Sequence, residues 1–81
     1  MAWLNPLEGT IYVEAEARIG EAIVTLGSVK IFADSNSLKK YAVTYSADPG
    51  AAAMVLGRGH IRSIRYFPRR LSDSELQALT A

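Results

Sequence analysis

Thr10-Ile11-Tyr12-Val13-Glu14-Ala15-Glu16-Ala17-Arg18 alternates without a break. Ile11, Val13, Ala15 and Ala17 fall in one row, and Thr10, Tyr12, Glu14, Glu16 and Arg18 in the other. Side chains of an extended backbone point to opposite faces in turn. Period two with one charged row therefore predicts a strand over residues 10–18, buried on one face and wet on the other. Upstream, Asn5-Pro6 and Leu7-Glu8-Gly9 read as a turn or extended lead-in, because the residue before proline avoids the α region.

Downstream the pattern repeats in shorter pieces. Gly20 interrupts it, Ala22 to Leu26 is an apolar run, and Gly27-Ser28 is a tight-turn pair leading to a strand over 28–33. Asp34-Ser35-Asn36-Ser37 is a loop whose side chains bond their own backbone. Residues 40–46 are rich in β-formers and predict a fourth strand. Ala47-Asp48-Pro49-Gly50 is a turn, and Ala51 to Leu56 a short extended piece. Residues 60–67 form the last strand, but Ile61 and Ile64 are three apart. Both reach one face only if the strand bulges near Ser63. Pro68 ends the pairing.

Ser72-Asp73-Ser74-Glu75 is a capping box, with Leu71 and Leu76 at the positions of a hydrophobic staple, and it predicts a helix over 73–79. Six strands and one terminal helix make residues 1–81 a single all-β domain. A small antiparallel β-sandwich is expected, with Ile11, Val13, Val43, Ile61, Ile64, Leu71 and Leu76 buried.

Composition narrows the function classes. An 81-residue chain has room for one domain and a thin core. It has no cysteine, so neither a disulfide nor a thiolate metal site reinforces it, and its one histidine, His60, rules out a multi-histidine site within one chain. No apolar run approaches the ~20 residues of a bilayer span. Residues 1–6 lack the basic-then-apolar order of a signal peptide. The net charge of +1 is unevenly spread: residues 1–57 carry four cations against six acids, residues 58–81 five arginines against two acids.

The segment Gly59-His60-Ile61-Arg62-Ser63-Ile64-Arg65-Tyr66-Phe67-Pro68-Arg69-Arg70-Leu71-Ser72-Asp73-Ser74-Glu75-Leu76 resembles the closing strand and final helix of concanavalin A-like (laminin-G-like) jelly-roll modules. With Tyr66, Pro68 and the Arg69-Arg70 pair it is most similar to domains of bacteriophage and prophage virion proteins. Trp3-Leu4-Asn5-Pro6 and Glu8-Gly9-Thr10-Ile11-Tyr12-Val13-Glu14 are similar to the strand that opens such domains. The resemblance implies a truncated jelly roll, since full modules are usually about twice as long, and a virion setting, with the bacterial cytoplasm as the alternative. The sugar and calcium loops of lectin members have no counterpart here.

Each constellation suited to chemistry has a plainer reading. Glu14 and Glu16 share a strand face as a glycosidase pair would, yet a solvated face explains them. Asp34-Ser35-Asn36 starts like a calcium loop, but Lys39 and Tyr45 stand where the glycine and glutamate are required. Gly57-Arg58-Gly59 lacks the third glycine and helix of a dinucleotide motif. His60 has no triad framework. Arg58, Arg62, Arg65, Arg69 and Arg70, with Tyr66 among them, suit phosphate or anionic sugar. Their alternative role is to clamp the helix by pairing with Glu14, Glu16, Asp73 and Glu75. Trp3, Tyr12 and Tyr66 are the candidates for stacking on sugar rings, Tyr12 being expected at the surface because it lies in the charged row.

The leading expectation is a non-enzymatic virion module acting in assembly or host-surface attachment, with no cofactor and no metal. Its expected partners are other virion proteins, a cell-surface glycan or a second copy of itself, without membrane insertion. A lectin-like carbohydrate-binding module is the alternative. A β domain binding nucleic acid weakly through its arginines comes third, and specific nucleic-acid binding is not expected. An unpaired sheet edge is expected too, blunted by Glu14, Glu16 and Lys30 or covered by a second copy.

Overall fold

In the computed structural model the structure describes residues 4–50, 53–57 and 59–81. In chain order the elements are β1 (Gly9–Glu16), β2 (Ala22–Leu26), β3 (Val29–Phe32), β4 (Lys39–Tyr45), β5 (Met54–Leu56), β6 (His60–Phe67) and α1 (Asp73–Thr80). Except for β5, which begins at Met54 within the expected 51–56 piece, each lies within two residues of its expected span. The strands form two antiparallel three-stranded sheets, ordered β4-β1-β6 and β3-β2-β5. This is the small all-β sandwich with a C-terminal helix that the alternation predicts.

Turn chemistry explains the connections. Gly27 takes φ 60° in the two-residue β2–β3 hairpin, as a II′-type turn requires of its first position. In the 47–50 turn the Gly50 amide donates to the Asp48 carboxylate at 2.8 Å. Within 34–37 the Ser37 amide donates to Ser35 Oγ, and the Ile19 amide donates to Asn36 Oδ1. The predicted bulge exists: β6 pairs Ser63 with Glu14 and Ile61 with Ala15, leaving Arg62 as the extra residue. A second bulge leaves Ile23 extra on β2, opposite β3. Ile23 is fully buried beside Val24.

Facing rows of the sheets build the core. From β1 come Ile11, Val13 and Ala15; from the second sheet come Ile23, Val24, Leu26 and Ile31, with Ala33 just beyond it. Of the residues expected to be buried, Ile11, Val13 and Leu71 are, whereas Val43, Ile61 and Leu76 are half-buried. Ile64 departs from expectation and is 36% exposed. It faces inward beside Val13, but β6 is an edge strand and nothing described closes the sandwich beyond it.

Tyr12 departs in the opposite sense. It lies in the outer row of β1 and yet is only 8% exposed. The helix packs on this face: α1 lies against β4, and the Lys40 ammonium, in that outer row, donates to the Ala81 carbonyl at 3.0 Å. The face that alternation assigned to water is partly roofed.

Candidate functional site

Trp3 and Arg58 lie outside the described residues. The other sequence candidates fall in four different environments, so they do not form one site.

Tyr66 belongs to the inner row, opposite Ile11. Its hydroxyl accepts from the Asn5 amide at 2.8 Å and lies 2.8 Å from the Tyr45 hydroxyl, which donates to the Asn5 carbonyl at 2.8 Å. Tyr45 has one proton, already committed to that carbonyl, so Tyr66 is the donor between the two phenols. Three groups close a cycle that ties the lead-in to β4 and β6, and Asn5 Nδ2 adds a bond to the Pro68 carbonyl. Burial, helped by the contact with Tyr66, pushes the Tyr45 phenol well above its ordinary range. A side chain on Gly9 would run into the Tyr45 ring. Nothing in the Asn5-Pro6 turn signal points to this cycle, because its partners are 40 and 61 residues away.

Arg69 is the clamp that the plainer reading described. Its guanidinium forms two parallel bonds to Glu75, of 3.1 and 2.7 Å, in the first turn of α1. Glu75 also accepts from the Ser72 amide, while Ser72 Oγ accepts from the Glu75 amide, which completes the capping box. The Arg69 guanidinium, with the Ser72 amide, holds the Glu75 carboxyl down to about 2.

Thr10, which carries no motif, secures the same junction. Fully buried, it donates to the Arg69 carbonyl at 2.9 Å and accepts from the Leu71 amide at 3.0 Å. A threonine in the wet row of an alternating strand gives no signal of this. The strand end and helix start border an open groove of about 270 Å³, lined by Phe67, Leu71, Ala78 and Leu79 with the Arg69–Glu75 pair.

Arg62, Arg65 and Arg70 are exposed, and the ion pairs among the described residues engage none of them. Arg62 is the bulge residue, and Arg65 lies opposite Tyr12 in the outer row. The backbone amide of Arg70 donates to the Glu8 carboxylate at 3.0 Å. Among the described residues neither Glu14 nor Glu16 takes part in an arginine clamp. Glu14 sits between Lys40 and Ser63 and Glu16 opposite His60, both on the central strand, so the expectation that they blunt an edge is corrected. Asp34, the start of the rejected calcium loop, is held below the usual carboxylate range by a two-pronged bond from Lys39, of 2.7 and 2.9 Å.

The β5–β6 side is incompletely covered among the described residues. At the opposite side β3 and β4 lie against each other; no comparable contact joins β5 to β6. Leu56 shares the inner row with Val24, and Ile64 with Val13, yet they stand 53% and 36% exposed. Met54 and Ile61, in the same two inner rows, are half-buried against the core.

Comparison with known proteins returns no match: no family model, no curated protein and no solved structure matches the chain.

Proposed function

We propose that this chain is a non-enzymatic docking module of a phage or prophage virion, whose open β5–β6 side is covered by another protein of the assembly. One observation carries the reading: Leu56 and Ile64 are turned toward the core and are left exposed. Each Å² of that apolar ledge removed from water contributes about 25 cal/mol. A thin core without disulfides gains both stability and specificity from such cover. The virion setting is supported by the resemblance of residues 59–76 to the closing strand and helix of phage modules.

The lectin-like alternative has little to stand on among the described residues, since Tyr12 is buried and Tyr66 has its hydroxyl in the Asn5 cycle. The nucleic-acid reading is weakened because Arg69 is committed to Glu75.

Panning a random peptide library on the folded chain, beside a glycan array, tests the proposal. Retained peptides should lose most of their binding to the Leu56→Ser/Ile64→Ser double variant. The circular dichroism of that variant should match the parent. Peptides indifferent to the double variant, or glycan capture without peptide capture, would overturn it.

A further inference from the structure

We infer that the partner on the open side is an extended segment of another protein with alternating apolar and acidic residues, added as a fourth strand along β6. This rests on the docking-module reading above, and goes further by naming the geometry and chemistry of the partner.

The geometry comes from the sheet order. Among the described residues β6 is the outer strand of the β4-β1-β6 sheet and pairs with β1 alone. An antiparallel or parallel edge offers a row of backbone N–H and C=O groups to an incoming chain. A strand laid there would alternate, as every strand does. Its inward residues would land beside Ile61 and Ile64, and should be apolar. Its outward residues would land beside Ser63 and Arg65.

The chemistry comes from where the charges are. The four edge strands carry five cations and no acid: Lys30 on β3, Lys39 and Lys40 on β4, Arg62 and Arg65 on β6, and none on β5. All eight acids lie elsewhere: on central β1, on α1, or in the connections at Glu8, Glu21, Asp34 and Asp48. Lys39 is engaged by Asp34, and Lys40 by the Ala81 carbonyl. Arg62 and Arg65 are left without an ion pair among the described residues, and both stand on the strand that borders the open ledge. A second copy pairing through its own β6 would set arginines against arginines, and like charges across a ladder are destabilising. An acidic row beside Ser63 and Arg65 avoids that repulsion and accepts the Arg65 guanidinium.

Synthetic eight-residue peptides, matching β6 in length, separate the possibilities: valine alternating with glutamate, with serine or with lysine, and a scrambled valine–glutamate control. Titrated onto the full chain by fluorescence anisotropy, the alternating glutamate peptide should bind tightest and weaken as salt rises. The lysine peptide should bind least. Arg65→Glu should lower affinity for the glutamate peptide roughly tenfold, the scale of an attractive cross-strand pair made repulsive. β6 amides should gain protection from hydrogen exchange in the complex.

Equal affinity for the glutamate and serine peptides, both lost with Ile64→Ser, would refute the acidic preference and leave the docking module standing. A scrambled peptide binding as well as the alternating one would refute strand addition. No binding by any peptide, or binding indifferent to Ile64→Ser, would overturn both readings. A dimer of the chain alone in sedimentation equilibrium, strengthened rather than weakened by covering mutations on β6 such as Arg65→Ser, would assign the edge to a second copy instead.

Discussion

The two sides of the sandwich are built from the same materials and end differently. On one, β3 and β4 close against each other, with Ile31 and Ala33 buried and Tyr41 and Val43 packed on the core. On the other, β5 is three residues long and β6 eight, and the shorter strand leaves Ile64 and Leu56 in water. Strand length and neighbours, not hydrophobicity, separate them. An isoleucine next to a covered row stabilises the fold, and the same residue at an uncovered edge is available to a partner.

The largest expected effect tests that contrast directly. Ile11→Ala, at a fully buried central position, should cost about 2–5 kcal/mol in urea titrations, as large-to-small changes in closed cores do. In so small a domain this approaches the whole stability. Ile64→Ala should cost under ~1 kcal/mol, because its cavity opens to solvent. Equal losses at the two positions would mean that the β5–β6 side is closed in solution.

Thr10→Val comes next and probes the boundary on the outer face. It keeps shape but removes the hydroxyl that joins the Arg69 carbonyl and the Leu71 amide. The loss should be about 1–3 kcal/mol, the cost of stranding buried polar groups. A smaller change, about 0.5–2 kcal/mol, is expected for Ser72→Ala, read from the thermal midpoint. If Ser72→Ala also exposes Tyr12, seen as a change in tyrosine fluorescence, the helix is what roofs the outer row.

The gentlest test is acid. Glu75 is held down to about 2 by Arg69 and the Ser72 amide, against an ordinary value of 4.5. Its folded value is lower than its unfolded one, so its contribution is fully present above about 4.5. That contribution should fade as pH falls toward about 2. Glu75→Gln should flatten the dependence of the thermal midpoint across that window, with little change on the β5–β6 side.

Much of the fold is legible in particular residues. The Thr10–Arg18 alternation, Gly27-Ser28, Asp48-Pro49-Gly50, the spacing of Ile61 and Ile64, and the Ser72–Glu75 box each predict an element or a defect that the structure contains. The candidate site was legible only in part. Arg62 and Arg65 stand out in the sequence as part of a basic stripe, and the structure leaves both exposed. The apolar half of the ledge went unseen because Leu56 and Ile64 look like ordinary core residues.

The division has a physical cause. Turns, caps and alternation are set by interactions within a few residues, so the sequence by itself determined the strands, the bulge, the helix and its cap. Whether a face or an edge meets water depends on which distant segment lies over it. Tyr12 in a charged row is buried on the face where α1 packs against β4, and Ile64 in an apolar row is exposed because no described strand pairs beyond β6. Only the tertiary structure decides such cover, because it is a contact between segments whose local patterns are the same whether or not they meet.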